Sequence, residues 1–395
     1  MTQIKTGRST SSNPERAVLE VLEQIAPKDA GLVVYFAPAS LDQARVQQAF
    51  AKALGGTPFI GGSSLHMTVP LLTMRHNIAS DGFCDGLCAL SLGSSGVMAD
   101  VDLVQDVAQP GAVEAAVAAL QRLASRAGLQ LDQPEIEGHF LLVLCDGPSG
   151  HADAILDGLF MAAPGLQIVG GGTAGTFSFA TGQPRSGSVH TAGGCHHRGA
   201  ALALIRVAGP FVTKMVTSYR PTAKQFEVTK ASGKVVSELN GNPAAREYAR
   251  ALGVPAWKLG YSRLPNFRLF LRNPVGLVVD GQPYLRGISA RSGDDLRVVV
   301  GDMAPGQVLR LMEPGDLVTE TRKVIEQTHA ELGALSGALL FSCAYRELEA
   351  DILGTQNELF QALKLGPMAG LISFGEYFRG LAVEQTLTLV AFGKT

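Results

Sequence analysis

Three residues stand out as a set that could hold a small polar molecule: Cys343, Arg346 and Glu376. Cys343 and Arg346 lie just past an apolar run at 337–342, and Glu376 follows a glycine-rich stretch that ends at Gly375. A guanidinium offers five donors in a planar fork, which suits a carboxylate. A carboxylate at Glu376 could hold an amino group or orient Arg346. The same side chains also allow an internal Arg346–Glu376 or Arg346–Glu349 pair that only fixes loops. Cys343 could act as a nucleophile, but that needs a base to form thiolate, and no histidine lies nearby in sequence. A second group, His190, Cys195, His196 and His197, carries soft sulfur and imidazole ligands that would suit zinc or iron. If that segment is extended, His196 and His197 point to opposite faces, so one site does not use both. The spacing of Cys84 and Cys88 is poor for a metal without a second pair, and both are expected in the core. The chain contains no G-x-S-x-G elbow, no P-loop lysine and no H-E-x-x-H motif.

The second kind of chemistry is in the backbone. Three glycine-rich steps occur, at 57–64, 166–175 and 366–375. Glycine reaches positive φ and lets backbone N–H groups approach a ligand closely. The contacts expected on that basis are Gly61, Gly62 and Ser63 in the first step, Gly171, Gly172 and Thr173 in the second, and Gly370 and Gly375 in the third. Tight turns alone would also account for such glycines.

These steps sit in a plan that recurs. An apolar strand (31–36, 139–145, 337–342) leads to a helix (near 41–54, 151–161, 355–365) and then to the glycine step. Another apolar strand follows each step (86–92, 199–207, 385–392). Strand, helix, strand is a βαβ-type unit, and loops leaving the strand ends of such sheets host ligands. Between the second and third copies, residues 209–313 alternate strand signals with turns and contain one clear helix at 244–252. The spacing therefore predicts an α/β and α+β chain. Repeated βαβ-type units form mixed sheets, with an inserted, mostly antiparallel α+β module. A helix is expected over 14–25, capped by Asn13 with Pro14 at its first position, and an amphipathic helix over 316–332. Residues 1–14 read as a flexible tail, 15–210 as an N-terminal domain and 211–395 as a C-terminal domain.

Composition narrows the function classes. The formal charge is −2 and the 33 basic residues form no stripe, so nucleic acid is not the expected partner. Five scattered cysteines suit reduced thiols in a cytosol. The polar N-terminus lacks the apolar core of a signal peptide, and no run reaches the ~18–20 apolar residues needed to span a bilayer. A soluble, cytoplasmic protein without membrane insertion is expected.

The chain resembles the FIST family over about residues 30–393. The run 340–346 (Leu-Phe-Ser-Cys-Ala-Tyr-Arg) is similar to that family's strand ending in Cys and Arg. The run 366–376 is similar to its Pro-x-x-Gly-(three variable)-Gly-Glu loop, and 228–244 to the start of its C-terminal domain. The second step keeps the Gly-Gly-x-Ala-Gly form at 171–175. The first departs: Gly61-Gly62-Ser63-Ser64-Leu65-His66-Met67 stands where many members carry Gly-Cys-Thr-Thr-Ala-Gly-Glu. The resemblance implies an intracellular sensor, not an enzyme, that binds an amino acid or related small molecule and signals to a separate partner such as a sensor kinase. It implies no obligatory cofactor. A subset of the family is described as haem-binding nitric oxide sensors that act on histidine kinases, and if haem binds here, His66 is the first candidate ligand. A cysteine-dependent enzyme at Cys343 is the remaining alternative.

Overall fold

The computed structural model describes residues 3–68, 76–105, 111–178, 183–259 and 264–394. Its first element corrects an expectation. Within the flexible tail expected over 1–14, Ile4–Ser9 is a strand paired antiparallel with Leu87–Gly93, from Ile4↔Leu92 to Ser9↔Leu87. The segment reads as polar because it is an edge strand with one covered face. Ile4 and Ser9 are buried. Gly7 packs so closely on the helix Pro14–Ile25 that a Cβ there would lie 2.8 Å from the Val21 carbonyl. That helix starts as expected, with the Asn13 side chain accepting from the Arg16 N–H at 2.9 Å.

The strand completes a repeat that is longer than strand, helix, strand. Each of three units opens with an outer strand (Ile4–Ser9, Val97–Val104, Phe211–Thr217) and a helix (Pro14–Ile25, Ala112–Ala127, Leu317–Leu332). A leading strand follows (Ala30–Pro38, His139–Asp146, Leu335–Cys343). One helix leads to the middle strand in the first two units (Gln43–Leu54, Ala152–Ala162), and two do so in the third (Ala344–Leu353, Gln356–Ala362). The middle strands are Phe59–Ser64, Gln167–Thr173 and Met368–Ser373, and the return strands Leu87–Gly93, Ala200–Val207 and Thr386–Gly393. Leading and middle strands pair in parallel, while return strands pair antiparallel on the leading strand's other side. The sheets are therefore mixed, as the spacing predicts, and among the described residues none closes into a barrel.

Each sheet is finished by a hairpin from another unit. The hairpin Val189–Thr191/Gly194–His196 pairs with the first unit's middle strand, through Val189↔Gly62 and His190↔Gly61. Glu376–Phe378/Leu381–Val383 pairs with the second unit's, through Gly171↔Glu376 and Gly170↔Tyr377. Asn77–Ala79/Gly82–Cys84 pairs with the third unit's, through Gly370↔Ile78 and Leu371↔Asn77. This cyclic exchange ties the units into one body around a shared apolar centre. There Phe36 meets Phe341 edge-on at 5.9 Å, and both are fully buried.

The antiparallel module is inserted in the third unit, between its outer strand and the helix Leu317–Leu332. It runs from Tyr219–Ser232 to Val308–Pro314 with its own core, including Phe226, Tyr248, Phe270 and Leu309. Besides the expected helix Ala244–Leu252 it holds a second, Leu264–Arg272, and four short strands between Val275 and Val298. Among the described residues no helix is long and apolar enough to cross a membrane.

Candidate functional site

The three glycine steps meet, and their meeting place is filled. Ala174 N donates to Ser63 O at 3.3 Å, Gly172 N to Gly375 O at 2.8 Å, and Phe374 N to Gly172 O at 2.9 Å, so backbone from all three steps interlocks. The glycines make room for protein rather than for a ligand. A Cβ on Gly61 would lie 2.5 Å from the Tyr35 ring, on Gly62 2.4 Å from Thr173 Cγ2, and on Gly172 2.2 Å from Phe374 O. On Gly171 it would meet Phe341 at 3.0 Å, and on Gly370 Leu340 O at 2.8 Å. The side chains are also committed. Ser63 Oγ donates to Ala174 O at 3.0 Å and accepts from Ser188 N at 2.8 Å, and Thr173 Oγ1 donates to Cys145 O at 3.0 Å. At Gly61, Gly62, Ser63, Gly171, Gly172, Thr173 and Gly370, where ligand contacts are expected, the structure has close packing or internal hydrogen bonds. The cause is that bulky residues, Tyr35 and Phe341 among them, occupy the space that the missing side chains leave.

Only the third step keeps both polarity and room. Here Gly375 has φ +85, a left-handed value that favours glycine. It turns the chain so that Glu376 enters the swapped hairpin. A small cavity of about 10 Å³, room for one water, is lined by Cys343, Ala344, Tyr345, Ser373, Phe374, Gly375, Glu384, Leu65 from the first step, and Val299 from the module. It lies at the end of the leading strand, where the helix Ala344–Leu353 begins with Cys343 as its N-cap. Arg346 is therefore in the first helical turn rather than in a loop.

Around this cavity the structure buries an unusual number of ionisable groups. Glu376 is fully buried and accepts from the Ser373 and Thr386 hydroxyls, each at 2.7 Å. Burial pushes its carboxyl up to about 8, against the opposing hydrogen bonds from Thr386 and Ser373 and the charge of Arg346. Glu384 accepts from Gly287 N of the module at 2.7 Å, and burial holds it well above the usual carboxylate range. Arg286, also of the module, donates to Ala382 O at 2.9 Å. Glu349 accepts from the Tyr219 hydroxyl at 3.1 Å, and burial raises its carboxyl. Arg346, 1% exposed, donates from Nη2 to Thr321 Oγ1 at 2.7 Å, while Nε and Nη1 have no hydrogen-bond partner among the described residues. Burial lowers its guanidinium from the ordinary value, with Glu349 and then Glu376 opposing. The Arg346–Glu376 and Arg346–Glu349 relations are thus electrostatic and do not satisfy the fork.

Cys343 is buried, and burial together with Glu376 and Glu384 pushes its thiol well up. A thiol held protonated is a poor nucleophile. The histidines of the 190–197 segment face different partners. His190 is fully buried between the Tyr35 hydroxyl (3.0 Å) and the Ser188 hydroxyl (2.8 Å), His196 faces Gln105 at 3.5 Å, and His197 meets Gly187 O at 2.5 Å. Among the described residues no three metal-ligating side chains are grouped. His66 lies with Nδ1 2.5 Å from His76 Nε2. The cavity that neighbouring Leu65 lines is one water in size, which does not fit a haem macrocycle. Cys84 and Cys88 are both in the core, as their spacing predicts.

Sequence reasoning missed Glu384, Arg286 and Tyr219. The one signal that could have found Glu384 is the polar start, Glu384-Gln385-Thr386, to an otherwise apolar return strand.

Comparison with known proteins finds two family matches along the chain. Residues 31–242 match the FIST N domain and residues 244–379 the FIST C domain. An uncharacterised protein of Methanocaldococcus jannaschii is 28% identical over 153 residues, 34% of this chain and 30% of the relative, so the match spans under a third of that protein's length. A crystal structure of cyanuric acid hydrolase from A. caulinodans aligns over 100% of both chains at a TM-score of 0.43 and 10% identity, a likeness too low to bear on function.

Proposed function

The chain belongs to the FIST family through both of its domains, a family of sensory domains associated with small-ligand binding in signal transduction, and on that premise we propose that it senses an amino acid or related polar molecule at the junction of its third unit and its antiparallel module. The observation that carries this reading is Arg346: a fully buried guanidinium with two nitrogens lacking partners among the described residues, beside Glu376 and Glu349, where the module closes over the cavity. A carboxylate would complete the fork.

The cavity holds one water in the closed arrangement, so an amino acid enters only if the module moves off the strand ends. The contacts that must part include Gly287 N to Glu384, Arg286 to Ala382 O, Gln385 Nε2 to Leu271 O at 2.7 Å, the Tyr219 hydroxyl to Glu349, and Lys234 Nζ and Gly301 N to Asp153, beside the apolar packing of Leu271, Val299 and Val300. Binding and module displacement are then one event, and the ligand biases the equilibrium by its differential affinity for the two arrangements. A separate signalling protein, such as a sensor kinase, reads the module's position. No catalytic step and no cofactor enter this reading.

Thermal unfolding with a panel of amino acids tests it. At least one is expected to stabilise the protein, by about 2.7 kcal/mol at a hundredfold excess over Kd. The shift should shrink in Arg346→Lys, which keeps the charge and loses the fork. No stabilisation by any amino acid, or an undiminished shift in the variant, rejects the reading. A Soret band in the purified protein would favour haem at His66 instead.

A further inference from the structure

A second concavity is built from a feature that sets the third unit apart. That unit reaches its middle strand through two helices instead of one, and the second, Gln356–Ala362, faces the tip of the hairpin Asn77–Ala79/Gly82–Cys84 that the first unit donates. Between them is an open groove of about 540 Å³, a size typical of small-molecule sites. Gly82 and Phe83 line it from the hairpin, and Asn357, Phe360, Gln361 and Lys364 from the helix and the turn that follows. No residue lines both this groove and the junction cavity.

One wall is aromatic and the other polar. Phe83, half-buried, meets the buried Phe360 edge-on at 5.7 Å. Asn357 and Gln361 are one helical turn apart, and Lys364 continues their face by another turn. Its Nζ lies 5.9 Å from the centre of the Phe360 ring. All three side chains are exposed, and among the described residues no hydrogen bond or ion pair holds them. The polar groups beside them are committed to the fold. Ser80 Oγ accepts from Met368 N at 2.9 Å and donates to Met368 O at 3.1 Å, Asp81 pairs with Arg8 at 2.6 Å, and Gln356 donates to Glu347 at 3.3 Å. Gly82 keeps the groove open, since a Cβ there would meet nothing within 4 Å. The groove therefore offers two carboxamides, one ammonium and an apolar wall.

Those groups select a ligand class. A carboxamide sets an acceptor beside a donor, which complements the N6 amino group and N7 of adenine. Guanine presents two acceptors on the same edge and is matched by Arg or Lys instead. An aromatic wall takes the face of a base, and one ammonium matches one phosphate. We propose that this groove binds an adenine mononucleotide, with the base edge on Asn357 and Gln361, the ring against Phe83 and the phosphate on Lys364. The inference is independent of the amino-acid reading, because the two sites share no residue.

Isothermal titration calorimetry of the full chain with adenosine 5′-monophosphate tests it. Saturable binding with a Kd of about 1 mM or tighter is expected. Guanosine 5′-monophosphate should bind at least about fivefold more weakly, as the wrong base for a carboxamide. Adenosine, which lacks the phosphate, should also lose at least about fivefold. Lys364→Ala, at an exposed position, should weaken the nucleotide to the level of adenosine and leave adenosine unchanged. Gly82→Trp should fill the groove and abolish binding without lowering the unfolding temperature. A weaker Kd, equal affinity for the adenine and guanine nucleotides, or undiminished binding in Lys364→Ala would overturn the proposal. So would binding that survives Gly82→Trp in a protein that unfolds at the wild-type temperature.

Discussion

Replacing Glu376 by glutamine should change how stability depends on pH, and the structure gives both sign and size. Glu376 is fully buried with its carboxyl pushed from an ordinary 4.5 up to about 8. A carboxyl raised on folding holds its proton more tightly in the native state than in the unfolded chain. Its contribution to stability is therefore complete below 4.5 and is lost as pH rises towards 8. Each pH unit in that window removes about 1.4 kcal/mol, or about 5 kcal/mol across it. Glutamine keeps the shape and both hydroxyl contacts, from Ser373 and Thr386, without a titrating proton. Urea denaturation of the wild type and Glu376→Gln at intervals from pH 4.5 to 9 measures the difference. The two should be nearly equal in stability at the acid end, and the variant should gain steadily to a lead of several kcal/mol above pH 8. Glu349, also raised, slopes both curves alike; Glu384 is raised in part by the Glu376 charge, so the variant relieves it too and widens the gap in the same direction. Parallel curves would refute the reasoning, because they would mean that Glu376 is charged or solvated in the native protein.

Gly172→Ala should destabilise by about 1–3 kcal/mol in thermal unfolding, because its Cβ would lie 2.2 Å from the Phe374 carbonyl. Gly56→Ala, where nothing lies within 4 Å, should stay within about 0.5 kcal/mol of the wild type. Deleting residues 1–9 should cost at least about 2 kcal/mol, the order expected from exposing Ile4 alone, and should promote self-association through the bared edge of Leu87–Gly93.

Much of the scaffold is legible in the chain because it is written locally. Apolar runs at 31–36, 139–145 and 337–342, each followed by a helix and a glycine step, mark three equivalent units. The exchange of hairpins is not legible, since pairings such as Gly370↔Ile78 join residues far apart in sequence and leave no periodic trace. The outer strand Ile4–Ser9 was hidden because an edge strand covers only one face, so its polar residues read as a tail. The glycines mislead for a simpler reason. Close packing and ligand approach both require a missing side chain, and only the neighbours decide between them: the Tyr35 ring beside Gly61, the Phe374 carbonyl beside Gly172. Arg346 and Glu376 can be singled out because charge flanks an apolar run. Arg286 cannot, because its neighbours at the junction come from a different part of the chain.

Hydrogen–deuterium exchange with and without a stabilising amino acid bears most directly on the central claim, that ligand binding and module displacement are one event at this junction. Amides at 343–349, 373–376 and 384–387 should change their exchange together with 285–300 of the module, while the leading strands of the first two units stay as they were. A response confined to the first two glycine steps, or none at saturating ligand, would contradict the account.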